Sequence, residues 1–442
     1  MNYYSLKRNS PVVDFREAAI KGQAPDGGLY FPEFIPELDH WFFKFIDDLS
    51  NEEIAYNVIK PYVGETIPED DLKAIVKETV NFPIPLVKVT DDISSLELFH
   101  GPTLAFKDVG ARFMSRCLGY FSREENRKLI VLVATSGDTG GAVANGFYGV
   151  EGVDVFILYP SGKVSPVQEQ QLTTLGKNIH AFEIEGSFDD CQKLVKQAFV
   201  DKELQSQLYL TSANSINIAR WLPQQFYYFF AYKQLEDRSK PPVISVPSGN
   251  FGNIAAGLLA YRTGLPVKHF VAASNANDVV PRFFQNGKYE PRKTIPTISN
   301  AMDVGDPSNF VRILELFEDD LAELHKVISS YSITDDQTKQ IIKKVYQDTN
   351  YLMDPHGAVG FLALQEYLRD HPGQKGIFLE TAHPVKFNTV MEEIVKDPIE
   401  IPGSLDSLMS RNKSAKYIRP EFPKLKELLL EMTSSPRVNS NI

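Results

Sequence analysis

One lysine in this chain has surroundings suited to covalent chemistry. Lys107 ends the run His100-Gly101-Pro102-Thr103-Leu104-Ala105-Phe106 and opens Asp108-Val109-Gly110-Ala111-Arg112-Phe113. Gly101-Pro102 breaks the chain, and Thr103 is placed to cap a short helix. Phe106, Val109 and Phe113 recur at helical spacing, so that helix would lie against a core. Beside an apolar seam, desolvation disfavours an ammonium and lowers its pKa. A lysine tuned in this way attacks a carbonyl and holds it as a Schiff base. Most lysines are solvated surface charges, so the reading depends on what other stretches supply.

Residues 248–253, Ser248-Gly249-Asn250-Phe251-Gly252-Asn253, supply one such part. Two glycines let the backbone approach a ligand, and the helix that follows offers free N–H groups and a partial positive charge. That construction holds a phosphate without lysine or arginine, or else is only a tight strand-to-helix turn. It is neither a Walker loop nor a complete dinucleotide fingerprint. Residues 135–140 form a second loop of the same kind, with Thr135, Ser136 and Thr139 as hydroxyls and Asp138 at the helix start. Hydroxyls and amides suit a substrate carboxylate, while Asp138 suits a phenolic hydroxyl or an ammonium; simple helix capping is the alternative. Thr381, ending a predicted core strand, can face a ring nitrogen or be ordinary strand-end polarity. Lys163 and Ser165 follow a predicted parallel strand, where open α/β sheets place ligands, and can grip a substrate phosphate or stay solvated. Asn214, Ser215, Asn217 and Arg220 form a further polar set, with Arg220 able to make a bidentate anion contact or to serve a surface role. An aldehyde for Lys107, a phosphate for 248–253 and a ring nitrogen together describe pyridoxal 5'-phosphate, whose ring stabilises carbanions at an amino acid's Cα.

The elements that must position these residues read as α/β. A continuous apolar run at 129–134 reads as a strand of a parallel sheet covered on both faces, and further strands read at 153–159, 179–184, 243–247, 268–273 and 376–380. Each is followed by a short loop and a helical pattern, with helices from 142, from 167, over 189–200 and over 254–263, the doubly wound signature. A strand at 96–99 feeds the lysine segment, 216–235 reads as one buried aromatic helix, and helices follow over 310–324 and 334–348. The opening residues are mostly helical, at 51–64 and 69–80, with Asp26-Gly27-Gly28 turning into a short strand. Beyond Pro402 the chain is charged and patchy, with a covering helix around 424–431.

Bulk composition is that of a soluble globular protein. The chain has 442 residues, 43% of them apolar and 23% charged, enough for two or three domains. A formal net charge of −11 argues against nucleic acid or an anionic membrane as partner. Two cysteines without a CxxC suit a reducing cytoplasm. There is no apolar signal core and no run of about 18 apolar residues to span a membrane. The eight histidines show no metal-ligand spacing.

HGPTLAFKDVGARF, TSGDTG, SGNFGN and DPHGAVG, with the early DGGLYFPE, closely resemble the threonine synthase family of the bacterial and fungal type. The resemblance runs from about residue 3 to 390, with the motifs in the family's order; Ser5-Leu6-Lys7 departs from an expected Ser-Thr-Arg. It implies the fold type II pyridoxal-phosphate architecture, tryptophan synthase β-like, with the cofactor between two α/β domains. By motif, Lys107 would take the cofactor's aldehyde, Gly249, Asn250, Phe251 and Asn253 its phosphate, and Thr381 its ring nitrogen. Ser136, Asp138 and Thr139 would meet the substrate carboxylate and the cofactor's hydroxyl edge. Lys163, Ser165 and Arg220 would stabilise the departing phosphate. The implied reaction takes O-phospho-L-homoserine and water to L-threonine and phosphate, in a chain working as a monomer or homodimer. A related phospho-lyase or dehydratase yielding a 2-oxo acid is the rival activity, and a non-catalytic pyridoxal-phosphate carrier the rival class. The expected partition is an N-terminal region at 1–95, a large cofactor-binding domain at 96–125 and 210–400, a smaller domain at 126–209 carrying TSGDTG, and a covering segment at 401–442.

Overall fold

A computed structural model describes residues 1–124 and 128–434. Its strands fall into three sheets. Asn2–Ser5, Val13–Asp14 and Tyr30–Pro32 make a small antiparallel sheet at the N-terminus. A six-stranded sheet has the order Ile328–Ser332, His269–Ser274, Val243–Pro247, Gly376–Glu380, Ile93–Glu97, Leu86–Lys88. Its neighbours pair in parallel except the last, which is antiparallel. A five-stranded, wholly parallel sheet has the order Ala415–Ile418, Ile179–Ile184, Val153–Pro160, Lys128–Ala134, Leu208–Thr211. Val243–Pro247, His269–Ser274 and Gly376–Glu380 are buried at every residue, as strands covered by helices on both faces must be.

Parallel pairing decides where the chemistry goes. Val243–Pro247, Gly376–Glu380 and Ile93–Glu97 lie side by side, so their C-terminal ends deliver residues 248–253, Thr381 and the lysine segment to one edge. Lys128–Ala134 and Val153–Pro160 do the same for 135–140 and 161–165. Ligands of open α/β sheets bind at such edges. The lysine segment is also tied directly to the strand end. Phe106 N–H donates to Thr381 O at 2.9 Å, His383 N–H to Leu104 O at 3.0 Å, and Ala105 bridges Ala382.

Several elements differ from the sequence expectation, each for a local reason. The strand expected at 96–99 is Ile93–Glu97, because Ser94 and Ser95 mask its apolar pattern; buried Ser95 accepts from Tyr351 Oη at 2.9 Å. The single helix over 216–235 is broken into Ile218–Trp221, a 3-10 turn Leu222–Gln225 and Phe226–Lys233. Pro223 lies in that turn, where it has no N–H to give a helix. The helix over 310–324 is two, Phe310–Leu316 and Leu321–Val327, parted where Glu318 and Asp319 take φ of 52° and 58°. Asp320 then caps the second through Ala322 and Glu323 N–H. Helix Pro355–Asp370, not anticipated, packs on the middle of the six-stranded sheet. Asp354 caps it and Pro355 opens it, the arrangement that tolerates proline. The strands Leu208–Thr211, Ile328–Ser332 and Ala415–Ile418 were also unforeseen; the last adds an edge to the five-stranded sheet beside Ile179–Ile184. Among the described residues no helix is long and apolar enough to cross a membrane.

Candidate active site

Helix Lys107–Phe121 begins at the lysine itself, after Phe106, which offers no side-chain cap. Thr103, expected as that cap, serves the turn instead: its N–H and Oγ1 donate to Asp108 Oδ2 and Oδ1 at 2.9 and 2.6 Å. Val109 and Phe113 are buried and Phe106 half-buried, so the apolar seam holds one side of the helix as expected. Lys107 Nζ stands 3.8 Å from Asp138 Oδ2 and 5.6 Å from the centre of the Phe106 ring. Burial pulls its pKa down; Asp138 works against that shift, and the Lys386 and Arg220 charges add to it.

Asp138 opens helix Asp138–Phe147, four residues before the start expected at 142. The TSGDTG loop is folded by Thr135, whose buried Oγ1 accepts from Gly137 N–H at 3.0 Å and Gly140 N–H at 2.9 Å. That hydroxyl is therefore engaged within the loop. Gly137 has φ of 142°, and a Cβ there would lie 2.4 Å from Gln168 Cδ, so only glycine fits. Ser136 is exposed and Thr139 half-buried, at a helix start without a side-chain cap. Asp138 Oδ1 takes Lys386 Nζ at 2.6 Å and Gln168 Nε2 at 2.9 Å. Burial opposes its charge, but Lys386 and then Lys107 outweigh burial and hold the carboxyl well below its usual range.

Residues 248–253 leave strand Val243–Pro247, and helix Gly252–Arg262 starts inside the motif, two residues earlier than expected. Phe251 precedes it at φ 60°, ψ 11°, a left-handed conformation costly for a bulky residue, and gives no side-chain cap. The N–H groups of the first turn are thus left to a ligand. A Cβ on Gly249 would lie 2.6 Å from Met302 Cα. The Asn250 side chain braces the loop: Nδ2 donates to Ser215 Oγ at 2.7 Å, and Oδ1 accepts from Ser308 N–H at 2.6 Å. That side chain is therefore engaged within the protein. Ser248 Oγ donates to Val246 O at 2.8 Å. Asn253 Oδ1 accepts from Tyr228 Oη at 2.9 Å, while its Nδ2 is buried with no protein partner.

The remaining expected residues divide. Thr381 is buried beside the lysine segment. Arg220 is buried against the same helix, where a Cβ on Gly110 would meet its carbonyl at 2.7 Å. It donates to Ala213 O, keeps a buried Nε without a protein partner, and burial lowers its pKa to about 10. Asn217 is a cap, accepting from Ala219 N–H at 2.9 Å, and Ser215 belongs to the brace behind Asn250. Ser165 caps helix Pro166–Thr173 reciprocally with Gln168, so its side chain acts one step from Asp138. Lys163 is exposed on the loop after Val153–Pro160. Ser5 and Lys7, at the departure from the family pattern, hold the Asp26 turn through Asp26 Oδ1 and O at 2.7 and 3.3 Å. Lys386 went unnoticed in the sequence. It is one lysine in an apolar run, Pro384-Val385-Lys386-Phe387, and that burial pattern was the one available sign.

These residues fit pyridoxal phosphate: a half-buried lysine for an aldehyde, an uncapped helix start with the orphaned Asn253 amide for a phosphate, and a threonine for a ring nitrogen. Comparison with known proteins agrees. A family model described as pyridoxal-phosphate dependent enzyme matches residues 94–379, with threonine synthase N terminus at 2–80 and threonine synthase, C-terminal at 357–429. Threonine synthase from Serratia marcescens is 46% identical over 409 residues, 92% of this chain and 93% of that protein. The solved threonine synthase from Escherichia coli superposes with a TM-score of 0.89 at 42% identity, covering 98% of this chain and all of that one. That from Brucella melitensis, solved with pyridoxal phosphate bound, gives 0.93 at 36% identity, with the same coverage.

Proposed function

The chain belongs to the threonine synthase family of pyridoxal-phosphate-dependent enzymes, and we propose that it works through Lys107 at the meeting of its two large sheets. The reaction converts O-phospho-L-homoserine and water to L-threonine and phosphate. The observation that carries the site is Lys107 beside Asp138, with the uncapped helix start at Gly252 and Thr381 on neighbouring strand ends.

Pyridoxal phosphate, when bound, supplies an electron sink for negative charge at the substrate's Cα. Lys107 would hold its aldehyde carbon, the N–H groups of Gly252 and Asn253 with the backbone of Gly249, Asn250 and Phe251 its phosphate, and Thr381 Oγ1 its ring nitrogen. With its charged form disfavoured by burial, the Lys107 amine accepts the Cα proton of the substrate. Ser136, Thr139 and the start of helix Asp138–Phe147 bind the substrate carboxylate, where amide N–H groups favour an anion. Asp138 stays ionised, held by Lys386. Lys163 and Arg220 supply positive charge to the leaving phosphate, Ser165 and Gln168 holding the loop between them in place. Two buried free cysteines, Cys117 and Cys191, support a cytoplasmic setting.

Lys107→Ala should abolish threonine formation and the yellow absorbance of the loaded protein together. Steady turnover in that variant would overturn the assignment.

A further inference from the structure

The ion pair beneath Lys107 joins the two large sheets. Asp138 opens the helix that follows Lys128–Ala134 of the five-stranded sheet. Lys386 lies in the 3-10 turn Pro384–Phe387, after Gly376–Glu380 of the six-stranded sheet. Its side chain is 0% exposed, its Nζ is 2.6 Å from Asp138 Oδ1, and it donates to Thr103 O at 2.9 Å. Lys107 Nζ is farther off, 3.8 Å from the other carboxylate oxygen. One carboxylate is thus contested by two ammoniums, and the nearer one is not the reactive one. A buried charge persists only with a partner, and a single carboxylate cannot fully compensate two.

We propose that Lys386 is a positioning residue: it occupies Asp138 from across the sheet junction and so withholds that carboxylate from Lys107, leaving the Lys107 amine neutral when it must accept a proton. The inference rests on the assignment of Lys107 above. Among the charged groups facing Lys107, Asp138 is the strongest attracting one. Arg220, on helix Ile218–Trp221, is itself a cation. Asp354, capping helix Pro355–Asp370, also favours the charged amine but more weakly than Asp138; its Oδ1 is engaged by the N–H groups of His356 and Gly357 at 2.5 and 2.8 Å, and its Oδ2 has no hydrogen-bond partner among the described residues. On the Lys386 side stand Asp108, whose oxygens take Thr103, and His383, whose Nδ1 accepts from Val385 N–H at 3.1 Å. Replacing Lys386 by a neutral residue removes a repelling charge and frees Asp138, so Lys107 becomes more basic. Replacing Asp138 by asparagine removes the attracting charge, so Lys107 becomes less basic.

The test follows cofactor uptake by apoprotein rather than turnover. Only a neutral amine attacks the aldehyde, so the pH midpoint of the rate at which yellow absorbance appears reports on Lys107. The cofactor's own titrations are common to every variant. K386M should raise the midpoint by about one pH unit or more, roughly tenfold in the neutral fraction. K386R, which keeps the charge, should stay near wild type, and D138N should shift the midpoint downward. An unmoved midpoint in K386M, or a D138N shift in the same direction as K386M, would overturn the proposal. If circular dichroism shows K386M unfolded, D138N decides: a downward shift supports the proposal and no shift sinks it. Wild-type apoprotein that takes up no pyridoxal phosphate would be a different failure, that of Lys107 itself.

Discussion

Gly249 faces Met302 so closely that an added methyl would lie 2.6 Å from the neighbouring Cα. Backbone cannot yield as a flexible side chain does, so G249A must displace the loop whose amides are proposed to hold the cofactor phosphate. The expected result is at least a tenfold loss of pyridoxal-phosphate affinity and roughly 1–3 kcal/mol of stability. Titration of apoprotein and urea unfolding read the two; wild-type affinity would contradict the role given to the loop. At this scale the sequence was a good guide where chemistry and local spacing coincide, as at Lys107 and Gly249. It was a poor guide to what each polar side chain does. Thr135, Asn250 and Ser165 occupy the expected loops, yet their side chains fold those loops. Lys386 was invisible, since its contact with Thr103 spans 283 residues and only the tertiary fold makes it.

The strands show why some elements are legible and others are not. Val243–Pro247 and Gly376–Glu380 are buried on both faces and therefore largely apolar, Ser245 and Glu380 apart. Ala415–Ile418 is a half-exposed edge, so nothing in its composition marks it. One buried strand carries a testable exception. His269 begins strand His269–Ser274, stacks on Tyr367 at 4.7 Å and pairs through Nε2 with Ser329 Oγ at 2.8 Å. Burial pushes its pKa down to about 4, below the roughly 6.5 of an unfolded histidine. The unfolded chain then binds the extra proton between those values, so stability falls as the pH drops from about 6.5 to 4, by up to roughly 3 kcal/mol from this group. Urea unfolding at pH 7 and pH 5 should show part of that loss, and His269→Gln should flatten it. An equally steep profile in the variant would assign the acid sensitivity elsewhere. Behind the phosphate loop, Arg312 is fully buried and donates to Ser215 O, Asn309 Oδ1, Tyr30 O and Ile216 O at 2.7–3.2 Å. Arg312→Met leaves those acceptors unpaired and should cost about 3 kcal/mol or more, with weaker cofactor retention because Asn309 also holds Asn250 O.

For the whole molecule, five strand ends from two sheets carry one part each of the proposed site: the lysine segment, residues 248–253, Thr381, the TSGDTG loop and the Lys163 loop. Helix Lys107–Phe121 packs between the two halves, against Asp138–Phe147 on one side and Ile218–Trp221 on the other. The Asp138–Lys386 pair fastens them where the chemistry occurs. The parallel architecture was legible because each strand, loop and helix repeats in order. The junction was not, because it is made by residues that no local pattern connects. The most direct test is to incubate the purified, cofactor-loaded protein with O-phospho-L-homoserine and identify the products. L-threonine should appear in step with inorganic phosphate. Phosphate accompanied by 2-oxobutyrate, or no phosphate at all, would contradict the account.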